Sequence, residues 1–325
     1  MSPIAWPGSE RPRIATLTLN PAVDLACTAP AVRPTHKIRT SDERYDPGGG
    51  GINVARVVHA LGGEALALIM TGGVTGRFVE DLLREEGVPW QALPIAGRTR
   101  ISVTVHDRQS GLEYRFVPEG PLVSEAEWRA ALEAIRHVNA AWIVASGSLP
   151  RGVPVDFYAR LAAIAAERGQ RLVLDTSGAA LLAAARKGIE LLKLSLSEFE
   201  SLVGHEARDP VSQARDVQAL LASGAARMIA VSLGEEGALL ATGAGVTRLP
   251  AVHVHECGAV GAGDSFLAGL TLGLAGGQTD REALALGIAA GAAAVGTYGT
   301  ALVTREAVEK LLSPCAEGAM VPADA

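Results

Sequence analysis

The sequence predicts an α/β protein with a mainly parallel central sheet covered by helices, plus a small β-sheet lid over the ligand edge. Three observations carry this. Short apolar runs alternate with helical segments from Arg13 to about Leu312, the pattern of parallel strands buried on both faces. Two stretches break that alternation with polar, period-two segments unlike core. Two glycine clusters each stand immediately before a helix.

Taken in order, Arg13 to Asn20 reads as a buried first strand, followed by a turn at Asn20-Pro21. Asp24 follows, at a strand end where it could bond a ligand hydroxyl or cap a turn. Residues 28–47 carry Lys37, Arg39 and Arg44 in polar alternation and form the first excursion. A helix from Ile52 to Leu61, a strand from Ala65 to Thr71, a helix from Thr75 to Gly87 and a strand from Val88 to Ile95 follow. The second excursion, 98–117, is a hairpin of Ile101–His106 and Leu112–Val117, approached through Arg98 and Arg100. The two excursions pair into the lid.

Ser124-x-x-Glu127 is a capping box opening a helix that runs to Val138. Strands at Trp142–Ser146, Arg171–Thr176 and Leu191–Ser195 then alternate with helices at Pro154–Arg168 and Ala179–Lys187. Met228–Leu233 is a further strand, Gly234–Gly237 a tight turn and Ala238–Val252 an antiparallel hairpin. Helices at Ser265–Leu274, Asp280–Val295 and Thr304–Leu312 close the chain. The globular unit thus spans 13–312, with 1–12 and 313–325 as flexible tails. Ligands of such sheets bind at the carboxyl ends of the strands, where Asp175, Lys193, Ser195 and Ser232 lie. His253, His255 and Cys257 alternate on one short strand, poor geometry for zinc, and read as a polar strand face.

Composition narrows the function. The 325 residues are 48% hydrophobic, enough for one large core. Net charge is −6, from 29 basic and 35 acidic residues, and no Lys/Arg run breaks it, so neither nucleic acid nor an anionic membrane is expected as a partner. No stretch is apolar for the length of a membrane helix. The start lacks the apolar core of a signal peptide, and three scattered cysteines point to a reduced, cytoplasmic protein.

The glycine clusters carry the chemistry. Val260-Gly261-Ala262-Gly263-Asp264 leads into an apolar helix, so its amides lack intrahelical acceptors and suit a phosphate or oxygens gaining negative charge. Asp264 caps that helix or, within an anion site, takes a proton from an attacking hydroxyl. Gly48-Gly49-Gly50-Gly51 before Ile52 requires a close backbone approach inside a compact βα unit, which favours a binding loop over a linker. It is neither a dinucleotide fingerprint nor a Walker A loop.

The stretch Gly48-Gly49-Gly50-Gly51-Ile52-Asn53-Val54-Ala55 resembles the first signature of the pfkB (ribokinase-like) carbohydrate kinases, and Val260-Gly261-Ala262-Gly263-Asp264 resembles the second. The two stand in the right order, about 210 residues apart, each before a helix. Leu19-Asn20-Pro21-Ala22-Val23-Asp24, Gly147-Ser148-Leu149-Pro150-x-Gly152 and Val231-Ser232-Leu233-Gly234 are similar to the sugar-phosphate branch. The resemblance covers Arg13 to about Leu312.

It implies a ribokinase-like three-layer domain, with ATP and Mg2+ as cofactors and a sugar phosphate as acceptor. Fructose 6-phosphate converted to fructose 1,6-bisphosphate is the expected reaction. Fructose 1-phosphate, tagatose 6-phosphate and a silent sugar-phosphate sensor are the alternatives. Asp264 would be the base, and Gly261, Ala262 and Gly263 would offer amides to the migrating phosphoryl group. Asp24, Gly49, Gly50 and Asn53 would hold sugar hydroxyls. Lys37, Arg100 and Ser148 would bind the phosphate already present, with Arg39 reaching across a homodimer formed through the lid. Lys193, Ser195, Ser232, Gly234 and Gly237 would line the nucleotide, and Glu198 would organise Mg2+ through water. Family members often carry Lys-Pro-Asn-x-x-Glu where this chain has Lys193-Leu194-Ser195-Leu196-Ser197-Glu198. Many carry an Asp where this chain has Gly258-Ala259-Val260, which leaves potassium dependence open.

Overall fold

In the computed structural model, which describes residues 13–254, 258, 260–297 and 303–316, the short apolar runs become strands of one large sheet. Strand β1 (Arg13–Thr18) is followed by β2 (Ala22–Ala29) and β3 (Ser41–Gly48), which leave that sheet, and by α1 (Gly50–Ala60), β4 (Glu64–Thr71), α2 (Gly73–Glu85) and β5 (Trp90–Pro94). A second departure, β6 (Arg100–Asp107) and β7 (Glu113–Phe116), precedes α3 (Glu125–His137), β8 (Trp142–Ser146), α4 (Phe157–Glu167), β9 (Arg171–Asp175), α5 (Gly178–Ala184) and β10 (Leu191–Ser195). Then come α6 (Leu196–Val203), α7 (Pro210–Ala222), β11 (Met228–Ser232), β12 (Ala238–Thr242) and β13 (Gly245–Leu249). Helices α8 (Ala262–Ala275), α9 (Asp280–Val295) and α10 (Arg305–Ala316) end the described chain.

The large sheet has nine strands in the order β13-β12-β11-β10-β9-β8-β1-β4-β5. Strands β11 through β5 are parallel, and β12 and β13 add an antiparallel edge. Period-two alternation sends successive side chains of β1 into opposite cores. Ile14 packs with α1, α8 and α9 on one face, through Val54, Leu267 and Leu284. Ala15 and Leu17 face Trp128, Phe157 and Phe199, from α3, α4 and α6, on the other. The parallel register brings the carboxyl ends of the strands to one edge, where Ser146 is opposite Asp175 and Ser195 is opposite Ser232.

Strand order β3-β2-β6-β7 makes the lid, so the two excursions do pair. Its first strand starts at Ala22 rather than near residue 28, which puts Asp24 inside the lid instead of at the end of β1. The cause is visible in the register: after the turn at Asn20-Pro21 the chain pairs at once with β6, Ala22 opposite Arg100. The cross-strand rows give the lid two unlike faces. Asp46, Asp24 and Ser102 share one row, and Arg44, Ala26, Thr104 and Arg115 the next on that face. Tyr45, Leu25, Val103 and Phe116 line up between them on the opposite face.

Four helices open with reciprocal caps: Ser124 with Glu127, Ser195 with Glu198, Asp209 with Ser212 and Thr279 with Glu282. The Asp209 cap, with Pro210 in the first turn, starts α7, a helix absent from the sequence reading although the signal is a recognised one. At the other end, α10 runs on to Ala316, past the limit of 312 set by apolar periodicity. Among the described residues no helix is long and apolar enough to cross a membrane. His255 and Cys257 lie outside the described residues.

Candidate active site

Helix α8 differs from those four capped helices in having no side-chain cap. Its N-cap is Gly261, at φ 79°, a left-handed conformation that an L side chain resists. The first intrahelical bond runs from Ser265 N–H to Gly261 O at 2.8 Å, so the amides before it are free of helical acceptors. Asp264 sits in the first turn, and its carboxylate is spent on other partners. Asn53 Nδ2 donates to Oδ2 at 2.9 Å, and Ser146 Oγ donates to Oδ1 at 3.4 Å. The capping reading of Asp264 is thereby set aside.

Helix α1 meets α8 at this point. It too begins on a glycine without a side-chain cap, Gly49. A Cβ on Gly50 would lie 2.1 Å from Ser146 Oγ and 3.1 Å from Asp264 Oδ1, so the loop approaches the carboxylate only because the side chain is missing. Asn53, one turn into α1, is fixed from behind by Arg56, whose Nη1 donates to Asn53 Oδ1 at 3.5 Å. Arg56 is 3% exposed and also pairs with Glu86 Oε1 at 2.5 Å and with Asp46 of the lid at 3.6 Å.

Behind Asp264 stands a buried pair, Lys193 Nζ and Asp175 Oδ1 at 3.3 Å. Burial works to lower the Lys193 pKa, but the carboxylates of Asp175, Asp264 and Glu198 outweigh it and the net shift is upward. Burial, and next the charge of Asp175, push Asp264 up to about 7, against the opposing pull of Asn53, Lys193 and Ser146. Burial raises Asp24 to about 6, with Arg100 acting against it. Burial likewise lowers the pKa of Arg100, while Asp24 opposes that.

Two cavities meet at the start of α8. One, about 180 Å³, is lined by Asp24, Gly49, Gly50, Asn53, Arg100, Gly261 and Asp264, with Arg115 of β7 on its lid wall. The other, about 480 Å³ and mostly apolar, is lined by Ser232, Gly234, Gly237, Ala262, Gly263 and Phe266. Ser148 and Arg151 line a third, about 560 Å³, that shares Arg100 with the first. Arg100 donates from Nη1 to Pro118 O and from Nη2 to Asn20 O, both at 2.8 Å, and its Nε has no partner among the described residues.

The remaining expected residues fall elsewhere. Lys37 and Arg39 are exposed in the connection between β2 and β3 and line none of these three cavities. Lys193 is buried between the two sides instead of lining the apolar cavity. Ser195 is the N-cap of α6: its Oγ accepts from Glu198 N–H at 3.3 Å, and Glu198 Oε2 accepts from Ser195 N–H at 2.8 Å. Ser232 Oγ donates to Leu194 O at 3.3 Å. Ser146, Arg56 and Arg115 were not singled out by sequence. Their strand-end, helix and hairpin positions were legible, but their convergence depends on contacts between distant segments.

A profile of the pfkB family carbohydrate kinases matches residues 17–307. The ATP-dependent 6-phosphofructokinase isozyme 2 of Mycobacterium tuberculosis is 44% identical over 324 residues, covering 99% of this chain and 95% of that protein. The protein of the same name from Escherichia coli is 38% identical, covering 92% and 97%. A crystal structure of phosphofructokinase-2 from Escherichia coli in complex with fructose-6-phosphate superposes with a TM-score of 0.88 at 36% identity, over 94% of this chain and 99% of that one. With both glycine signatures assembled on either side of Asp264 and the match running nearly end to end, this chain belongs to the pfkB family of carbohydrate kinases.

Proposed function

We propose that this chain transfers the γ-phosphoryl group of ATP to the C1 hydroxyl of fructose 6-phosphate, giving fructose 1,6-bisphosphate and ADP. The observation that carries the proposal is the shared wall between two cavities: Gly261 and Asp264 face the small polar one, Ala262 and Gly263 the apolar one. An acceptor hydroxyl in the first and a donor in the second meet across the first turn of one helix. The small cavity has carboxylates, Asn53 and Arg100, as a polyhydroxylated anion requires. The larger has apolar walls and glycines that admit a flat nucleoside.

Asp264 takes the proton of the C1 hydroxyl as the new P–O bond forms and the bond to the departing ADP breaks. A carboxylate poised near neutrality suits this step, worth roughly 10²- to 10⁴-fold. The amides of α8 face the phosphoryl oxygens as charge spreads over them, and Lys193 adds its charge from behind. Mg2+, carried in with ATP, would neutralise phosphate charge. Glu198, held by its capping box at the strand edge, would hold it through water. Asp24 and Asn53 orient hydroxyls, and Arg100, which lines both the small cavity and the one that holds Ser148, is assigned to the substrate's own phosphate. Arg39, displayed on the lid edge, is assigned to the same phosphate across a lid-to-lid dimer, and Lys37, expected beside Arg100 of its own chain, is moved to that cross-dimer contact because it lines none of the three cavities. The apolar row of the lid supports that dimer: Phe116 is 58% exposed and Tyr45 45%.

ADP release with MgATP and KCl, measured against fructose 6-phosphate, fructose 1-phosphate, tagatose 6-phosphate, fructose and no acceptor, tests the reaction. Preference for fructose 6-phosphate is expected. Preference for another ester corrects the substrate, and silence in folded protein moves a sensor ahead of a kinase. Asp264→Asn should cut kcat by about 10²- to 10⁴-fold with sugar-phosphate binding retained. Because the base works ionised and its pKa is raised to about 7, kcat/KM of the parent should fall as pH drops through that value. A limb near pH 4 would mean that the carboxylate works unperturbed by its burial, and near-normal turnover in Asp264→Asn would refute the base. Arg100→Ala should raise KM for the sugar phosphate at least about tenfold more than KM for ATP, and equal effects would remove it from the phosphate site. Phe116→Arg should shift sedimentation from dimer to monomer. An unchanged mass would place any oligomer contact elsewhere.

A further inference from the structure

Strand β8 ends at Ser146, a residue without a role in the transfer just described. It is 2% exposed, and its Oγ lies 3.4 Å from Oδ1 of Asp264 and 3.4 Å from Oδ2 of Asp175. A hydroxyl has a single proton to donate, so it can serve one of these carboxylates at a time. Asp175 has a second donor, Lys193 Nζ, at 3.3 and 3.4 Å from its two oxygens. Asp264 has Asn53 on Oδ2, and no other hydrogen bond to its Oδ1 is present among the described residues. The better use of the serine proton is therefore Asp264. Gly50 leaves the space this needs, since any side chain there would occupy the position of Ser146 Oγ.

We infer that Ser146 is a positioning residue for Asp264: with Asn53 holding Oδ2, its hydroxyl holds Oδ1 and fixes the plane of the carboxylate toward the acceptor cavity. This rests on the reading of Asp264 as the base. The charged groups around Asp264 come from each neighbouring element. Asp175 of β9 and Lys193 of β10 stand behind it, Glu198 of α6 acts on both of those, and Asp24 and Arg100 line the same cavity from the lid. From α1 comes uncharged Asn53, backed by Arg56. Removing the hydroxyl leaves Oδ1 of Asp264 without its donor, while Asp175 keeps Lys193. The ionised form then loses a charge-assisted hydrogen bond while the like-charge neighbour stays.

The test is Ser146→Ala beside the parent protein, with thermal unfolding as a control. The variant should lose about tenfold in kcat at pH 7, hold KM for both substrates within about twofold, and show its acid limb displaced upward by roughly one pH unit. A merely structural role would not displace the limb. The same displacement should be visible without turnover, by ¹³C NMR titration of aspartate carboxyls with Asp264→Asn assigning the resonance. Ser146→Cys, close in shape and a weak donor, should fall between the two and carries the test if the alanine variant does not fold. An unmoved limb with an unmoved Asp264 titration overturns the inference. If the parent turns over no acceptor, the kinase reading fails on its own, and the NMR titration still decides whether Ser146 holds Asp264.

Discussion

Two largely desolvated carboxylates near one another repel, and the edge of the sheet is arranged to hold Asp264 and Asp175 together in spite of that. Lys193 is the main offset. Only 8% exposed, it pairs directly with Asp175 and is held cationic by three acidic neighbours. An isolated ammonium or carboxylate in that place would meet a large desolvation cost, so neither is tolerable without the other. The parallel sheet supplies the geometry, because successive strands deliver Ser146, Asp175 and Lys193 to one edge at fixed spacing. Helix α8, from much later in the chain, then brings Asp264 to them. For the base role proposed for Asp264 the incomplete compensation matters: full pairing would keep the carboxylate a weak base, and none would keep it protonated.

The lid obeys a different constraint. A four-stranded sheet with one face on a polar cavity must alternate, and its rows do so across all four strands. Placing Asp24 and Ser102 inward sends Val23, Leu25 and Ile101 to the opposite face, where Val23 is packed into the main core but Ile101 is 42% exposed. Tyr45 leans on Phe78 of α2, with ring centroids 5.5 Å apart, which covers only one end of the apolar row. A polar site built under a thin sheet thus leaves an apolar outer face, which the proposed lid-to-lid dimer would cover. Arg56 joins this sheet to the active centre, since one buried guanidinium touches Asp46 of β3, Glu86 after α2 and the amide of Asn53.

Much of this was legible in the sequence because the signals were local. Glycine before an apolar helix, a capping box, and apolar runs ending in polar residues each depend on a few neighbours, and β8, β10 and α9 lie where those patterns put them. What escaped depends on distance. Ser146 as a strand-end serine is unremarked until β9 and α8 bring two carboxylates to it. The start of the lid was displaced because the polar alternation that marks the excursion begins only near residue 28, whereas Ala22–Ala29 is assigned to the lid by its pairing with β6. Lys37 and Arg39 owe their assignment to resemblance alone. The single chain leaves them exposed, as residues that act across an interface would be.

The departure at Ser195 shows how a substitution in a signature can be absorbed. In the common form of the motif an Asn stands three residues before the Glu, and Asn and Ser are both strong N-cap residues. Here Ser195 Oγ takes the Glu198 amide and Glu198 takes the Ser195 amide, so the first turn of α6 is closed as tightly as at Ser124 or Thr279. The capping box, and not the identity of its first residue, fixes Glu198 at the edge beside β10. From there its charge reaches Lys193 and Asp175. What the serine gives up is the side-chain amide of the Asn. The position of the acidic group survives, which is why the change is compatible with a working site.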